Sequence, residues 1–205
     1  MRHRDRAPLA VLFDRDGTLV VDVPYNGSPE RVQPMPRALE AVARLRAANV
    51  PLGVVSNQSG IRRGIVTPGQ VVAVNARVDE LFGGFAVWEV CPHAPADDCA
   101  CRKPRPGLVI AAAKRLGLAP RDVAVVGDIG ADVEAATAAG ARSVLVPTPR
   151  TRLEEVRSAP AVAPDLDAAV SLLFPELPPL SGLGERERDL AHAASRRGAI
   201  AEAFA

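Results

Sequence analysis

Short apolar runs, each cut off by a polar cluster, recur along this chain. Leu9 to Phe13 (LAVLF) is continuous and apolar, the signature of a strand buried on both faces, and it stops at Asp14-Arg15-Asp16-Gly17-Thr18. Pro51 to Val55 predicts a second such strand, ended by Ser56-Asn57-Gln58-Ser59-Gly60. Phe85 to Val90 leads into a cysteine-rich stretch, Val123 to Val126 ends at Gly127-Asp128, and Ser143 to Val146 gives a fifth strand. Helical patterning fills the intervals. Apolar residues at Ala38, Val42 and Leu45 open a first helix after Arg37, and Thr67-Pro68 supplies an N-cap and a first-turn proline for a second that runs to about Leu81. Pro106 to Leu116 and Asp132 to Ala139 complete the alternation, the latter closed by Gly140 as a natural C-cap. Leu153 to Val156 and Leu166 to Phe174 read as covering helices. Val20 to Pro36, with four prolines and Asn26-Gly27, reads as an irregular excursion.

Five strands alternating with helices predict an α/β, Rossmann-like parallel sheet with helices on both faces. Such sheets bind ligands at the carboxyl ends of their strands. The clusters at Asp14, Ser56, Cys91 and Asp128 each follow a strand directly, so they are expected to converge on one crevice.

Composition narrows what that crevice serves. With 205 residues and 48% hydrophobic content the chain can bury one sizeable core. One domain is expected over residues 1–177, followed by a charged, alanine-rich tail (178–205) that is helical or frayed. A net charge of +1 and 3% aromatics argue against a nucleic-acid surface. The N-terminal apolar run is too short for a signal-peptide core, and no stretch approaches the roughly 20 apolar residues of a membrane span. A cytoplasmic protein working as a monomer, with neither nucleic acid nor membrane as partner, is the expectation.

Asp14 and Asp16 stand two apart at a strand end, and extended geometry would send their side chains in one direction. Carboxylates that close repel unless a cation or shared proton neutralises them, and Asp128 adds a third. An all-oxygen, carboxylate-rich set suits Mg²⁺, which also binds substrate phosphate. Facing it are anion binders: the Ser56 hydroxyl, the backbone N–H groups of Asn57 to Gly60, the Arg102 fork and the Lys103 point charge. All three cysteines lie between Cys91 and Cys101 together with His93. Three thiols cannot pair completely, and grouped with a histidine they read as metal ligands.

DRDGT, SNQSG, the lysine of CRKPRPG and GDIGAD together resemble, in order, the four motifs of haloacid-dehalogenase-type phosphatases, from Asp14 to Asp132. The resemblance implies Asp14 as a nucleophile forming an aspartyl-phosphate and Asp16 as general acid/base. It implies Mg²⁺ on Asp14, the Asp16 main-chain carbonyl and Asp128, with Asp132 one shell further out and Ser56 and Lys103 balancing phosphoryl charge. Cys-Pro-His followed by Cys-x-Cys-Arg-Lys-Pro is similar to the zinc-containing branch that includes heptose 1,7-bisphosphate and histidinol-phosphate phosphatases. In that branch Cys91, His93, Cys99 and Cys101 would form a closed, structural Zn²⁺ shell within a loop spanning residues 91–107. Asp22, Val23, Pro24, Tyr25, Asn57, Gln58, Ser59 and Arg102 fall at substrate-contacting positions, so the implied partner is a small phosphorylated sugar. Neither gap between motifs leaves room for a cap domain. One departure is Ile129, where family members often carry lysine. The competing expectations are histidinol-phosphate phosphatase, polynucleotide 3′-phosphatase and a zinc-stapled binding module without turnover. The retained aspartate pair speaks against the last.

Overall fold

The computed structural model describes residues 6–178, so the expected tail lies, but for Pro178, outside the described residues. Five strands, β1 (Ala10–Phe13), β2 (Leu52–Asn57), β3 (Val87–Cys91), β4 (Val123–Gly127) and β5 (Arg142–Leu145), form one sheet in the order β3-β2-β1-β4-β5, with every pairing parallel. The alternation of apolar runs with helices is thus realised as an α/β sheet.

Side-chain alternation in the strands sorts the helices into two layers. Val11 and Phe13 point into a core shared with α1 (Ala38–Ala47), α2 (Pro68–Phe82) and α6 (Leu166–Leu173), where Val42, Leu45, Val78, Phe82 and Val170 are buried. Ala10 and Leu12 face the opposite core, formed with α3 (Gly107–Arg115) and α4 (Gly130–Ala139) through Leu108, Val109, Ala112 and Ala136. A short α5 (Leu153–Ser158) carries no buried residue. Thr67 caps α2 with a reciprocal capping box to Gln70, which fixes that helix's start where the sequence expects it.

The chain builds β1, β2 and β3 outward to one side, then returns to place β4 on the other side of β1. The resulting switch point lies between the ends of β1 and β4, where an open α/β sheet forms its crevice. No helix among the described residues is long and apolar enough to cross a membrane. The segments between the strands hold short 3-10 turns and single helices, with no further sheet among the described residues, so nothing caps the crevice except the excursion after β1. That excursion is folded back on itself: Val21 N–H donates to the Gln33 carbonyl and Met35 N–H to that of Leu19.

Candidate active site and cysteine cluster

Asp14 leaves β1 with its backbone N–H still bonded to the Val126 carbonyl of β4 at 2.9 Å, so the neighbouring strand fixes its position. Its carboxylate accepts from Lys103 Nζ at 2.6 Å, and the same ammonium lies 2.6 Å from Asp132 Oδ1 and donates to the Val55 carbonyl at 2.8 Å. Asp14, Asp128 and Asp132 are all buried, with one oxygen from each within 4.8 Å of the others. Gly17, at φ +80°, makes this closeness feasible, since a Cβ there would lie 2.4 Å from Asp128 Oδ2.

The electrostatics mark a centre short of positive charge. Burial pushes Asp14 up to about 7 despite Lys103, with Asp132 and Asp16 adding repulsion. Burial likewise raises Asp128 to about 8, helped by Asp14 and Asp132. Burial pulls the Lys103 pKa down, but the Asp132 and Asp14 carboxylates outweigh it and push it up, so the ammonium stays charged. One lysine cannot neutralise three carboxylates. The donor set, hard, anionic and all oxygen, fits a divalent cation of the Mg²⁺ kind.

Asp16 stands apart from this cluster. Its carboxylate accepts from Arg15 Nε at 3.1 Å, Arg15 Nη2 at 2.8 Å and Gln58 Nε2 at 2.8 Å. The chain turns immediately after Asp14, so strand geometry ends there, and Asp16 reaches the same pocket from the turn rather than by strand alternation. The third carboxylate of the cluster is Asp132, one turn into α4, rather than Asp16.

The pocket around this centre encloses about 360 Å³. It is lined by Asp14, Asp16, Asp22, Val23, Pro24, Tyr25, Asn57, Gln58, Ser59, Arg102, Lys103, Asp128 and Asp132, so the residues singled out by the sequence meet in one place. Ser56 lies behind that wall, buried, with its hydroxyl accepting from Gln58 Nε2 at 2.9 Å. Asn57 turns out to be a structural clasp: its Oδ1 accepts from Lys103 N–H and its Nδ2 donates to the Lys103 carbonyl, both at 3.1 Å. A larger groove of about 1140 Å³ beside β5, between α4 and α6, contains none of these groups.

Sequence reasoning missed three contributors. Arg15 reads as a mere spacer between the two aspartates, yet its guanidinium is buried and bridges Asp16 to Asn75 Oδ1 of α2 at 2.6 Å. Its position inside the motif was the available signal. Arg150 reaches the pocket from the loop after β5 and pairs with Asp22, in a stretch without periodicity to mark it. Arg63 donates to the Tyr25 hydroxyl at 3.0 Å and stands over that ring.

At the end of β3 the four soft donors gather. Cys91 Sγ lies 3.6 Å from His93 Nδ1 and from Cys99 Sγ, while Cys101 Sγ is 3.2 Å from Cys91, 3.4 Å from Cys99 and 3.3 Å from His93 Nδ1. Burial pushes the Cys91 thiol up to about 12. Burial also opposes ionisation of Cys99, but hydrogen bonding from the Arg102 backbone and the neighbouring thiols prevails and brings it down to about 7. Three sulfurs and one imidazole nitrogen at near-equal separations fit a single tetrahedral soft or borderline cation. The loop then closes tightly onto α3: a Cβ at Gly107 would lie 2.4 Å from the Ala100 carbonyl. Arg102 Nη1 donates to the His93 carbonyl at 3.2 Å, tying the basic pair to the cluster.

Comparison with known proteins gives a consistent picture. A family model described as HAD-hydrolase-like matches residues 100–171. The D-glycero-beta-D-manno-heptose-1,7-bisphosphate 7-phosphatase of Pseudomonas putida is 38% identical over 143 residues, 67% of this chain and 82% of that protein. Its namesake from Pseudomonas aeruginosa is 35% identical over 80% of this chain and 97% of that one. The crystal structure of D,D-heptose 1,7-bisphosphate phosphatase from B. bronchiseptica, complexed with magnesium and phosphate, superposes with a TM-score of 0.72 at 30% identity, covering 82% of this chain and 99% of that one.

Proposed function

Because this chain belongs to the HAD-like phosphatases, we propose that its crevice removes the 7-phosphate of D-glycero-D-manno-heptose 1,7-bisphosphate through an aspartyl-phosphate on Asp14. The observation that carries the mechanism is the buried Lys103 ammonium shared between Asp14 and Asp132 at 2.6 Å each, with Asp128 alongside. The substrate reading is supported by the printed activity of the relatives and by a small polar pocket that could hold one phosphorylated sugar.

In this mechanism an Asp14 oxygen forms a bond to phosphorus in line with the sugar oxygen, and the bond from phosphorus to that oxygen breaks. Asp16, held at the pocket wall by Arg15 and Gln58, delivers a proton to the departing alkoxide. The same carboxylate then takes a proton from the water that attacks phosphorus, releasing inorganic phosphate and restoring Asp14. Lys103 contributes positive charge to the phosphoryl oxygens and the Asn57 to Ser59 segment contributes donors, with Ser56 supporting Gln58 from behind. Asp14, the Asp16 carbonyl and Asp128 would hold Mg²⁺, with Asp132 behind them, and the ion would supply the charge that lets an anionic nucleophile approach an anionic ester. Cys91, His93, Cys99 and Cys101 would hold Zn²⁺ as a structural clamp with no coordination position left for substrate.

The test is a kcat/KM comparison in Mg²⁺ between both anomers of the heptose bisphosphate and histidinol phosphate, with metal content measured alongside. Preference for the heptose is expected. Preference for histidinol phosphate would move the assignment to the other enzyme of the zinc-loop branch.

A further inference from the structure

The pocket must hold more than the reacting phosphate if its substrate carries two. The centre at Asp14 and Lys103 accounts for one. Lys103 is buried and already shared by two carboxylates, and Arg15 is buried and engaged by Asp16 and Asn75. On the wall contributed by the loops after β4 and β5, the lining residues are Asp128, Ile129, Asp132 and Arg150: two carboxylates of the centre, an apolar side chain and a single cation.

We infer that Arg150 is a specificity-determining residue whose guanidinium binds the phosphate that the reaction leaves on the sugar. The inference rests on the sugar-bisphosphate reading above. Arg150 has the right chemistry and freedom. Its side chain is 59% exposed, and one nitrogen pairs with the Asp22 carboxylate, which holds the fork over the pocket mouth. A phosphate offers the same anionic oxygens with greater charge, so it can take the place of Asp22 and accept two parallel hydrogen bonds.

The backbone that carries Arg150 is registered to the reaction centre. Thr151 Oγ1 donates to the Asp128 main-chain carbonyl at 2.6 Å and accepts from Thr148 N–H at 2.8 Å, and Arg150 N–H is 3.3 Å from Thr148 Oγ1. A surface arginine at the tip of a free loop would have no fixed distance to the reacting phosphorus. This one stands on a turn bonded to the backbone of a carboxylate in the centre, so an anion on its fork is held at a set span from the one at Asp14. Ile129, at the position beside Asp128, leaves Arg150 as the one cation on that wall, Arg102 lining the pocket from the loop after β3.

The experiment measures Arg150→Ala and Arg150→Lys against the wild-type chain on three probes in Mg²⁺: the heptose 1,7-bisphosphate, the heptose 7-phosphate lacking the anomeric phosphate, and p-nitrophenyl phosphate. The expected result is that Arg150→Ala loses about 10- to 100-fold more kcat/KM on the bisphosphate than on the 7-monophosphate, mainly through KM, with Arg150→Lys between. Equal losses on the two sugars would show a merely structural role and overturn the inference, as would no loss at all. If the wild-type chain cleaved p-nitrophenyl phosphate but not the bisphosphate, the substrate reading would fall and the inference with it. If it cleaved bisphosphate and monophosphate equally well, Arg150 alone would be refuted.

Discussion

The carboxylate–lysine centre and the cysteine–histidine cluster both sit at the carboxyl ends of strands in one sheet, with β2 between them, yet they are assembled in opposite ways. Asp14, Lys103 and Asp128 come from segments far apart in the chain, and the sheet brings them together: β1 and β4 are paired in register, and Lys103 reaches the Val55 carbonyl at the end of β2. Cys91, His93, Cys99 and Cys101 fall within eleven residues, and no sheet pairing holds the last three. The first site is held by the fold. The second holds its own loop, so its ion would do for this segment what a hydrophobic core does elsewhere. A reaction centre that must place charges to within tenths of an ångström is built on strands, and the clamp that keeps one loop beside it is built locally.

The contrast predicts that damage to the two sites will look different. Asp14→Asn is expected to lower turnover by more than about 10⁴-fold while leaving the melting point and the cysteine-bound metal in place. Residual hydrolysis near the native rate would contradict the nucleophile assignment, and a collapsed fold would contradict the separation of the two sites. Lys103→Met should cost about 10²–10³-fold in kcat, because the phosphoryl oxygens lose a preorganised cation and Asp14 and Asp132 are left facing each other. A loss confined to KM would show that Lys103 only recruits substrate.

Cys101→Ser should blur the boundary, lowering the melting point and reducing activity about tenfold, with one equivalent of zinc lost from the isolated protein. An unchanged melting point with unchanged metal content would remove the clamp from the account. The smallest effect concerns pH. Asp14 and Asp128 are raised from 3.8 to about 7 and about 8, so the metal-free chain binds more protons folded than unfolded in that window and loses stability as pH rises through it. A divalent cation that replaces those protons should therefore raise the melting point by more at pH 8 than at pH 5. Calorimetry with and without Mg²⁺ reads this directly, and a gain independent of pH would place the ion elsewhere.

Much of this was legible in the residue order because buried parallel strands are written as uninterrupted apolar runs. LAVLF and VAVV announce both their own burial and the polar residues that must follow at the sheet's end. The partners of Asp16, Arg15 and Gln58, were not legible. A period of two applies only while the chain stays extended, and here it turns between the two aspartates. Arg150 was hidden for a different reason: its loop follows the last strand, has no apolar period, and takes its place from a single hydroxyl of Thr151 on the Asp128 backbone. Asn57 has a second part that its motif does not announce, the clasp on Lys103, because an amide's two ends match a backbone donor and acceptor as well as they match a ligand.

That clasp also bears on how the chain can change. The Asn57 amide stands in for a rung of sheet pairing, so Lys103 is seated as if it belonged to the strand bundle, although 46 residues separate the two positions. Upstream, the cysteine cluster closes the segment a second time. Inside that cluster, between His93 and Cys99, lies the short turn at Pro95–Asp97, whose residues include none that are buried. Length can be inserted there, or a recognition tag grafted, with the slack absorbed before it reaches the lysine. The Lys103 ammonium is thereby insulated from variation in the most exposed part of its own loop.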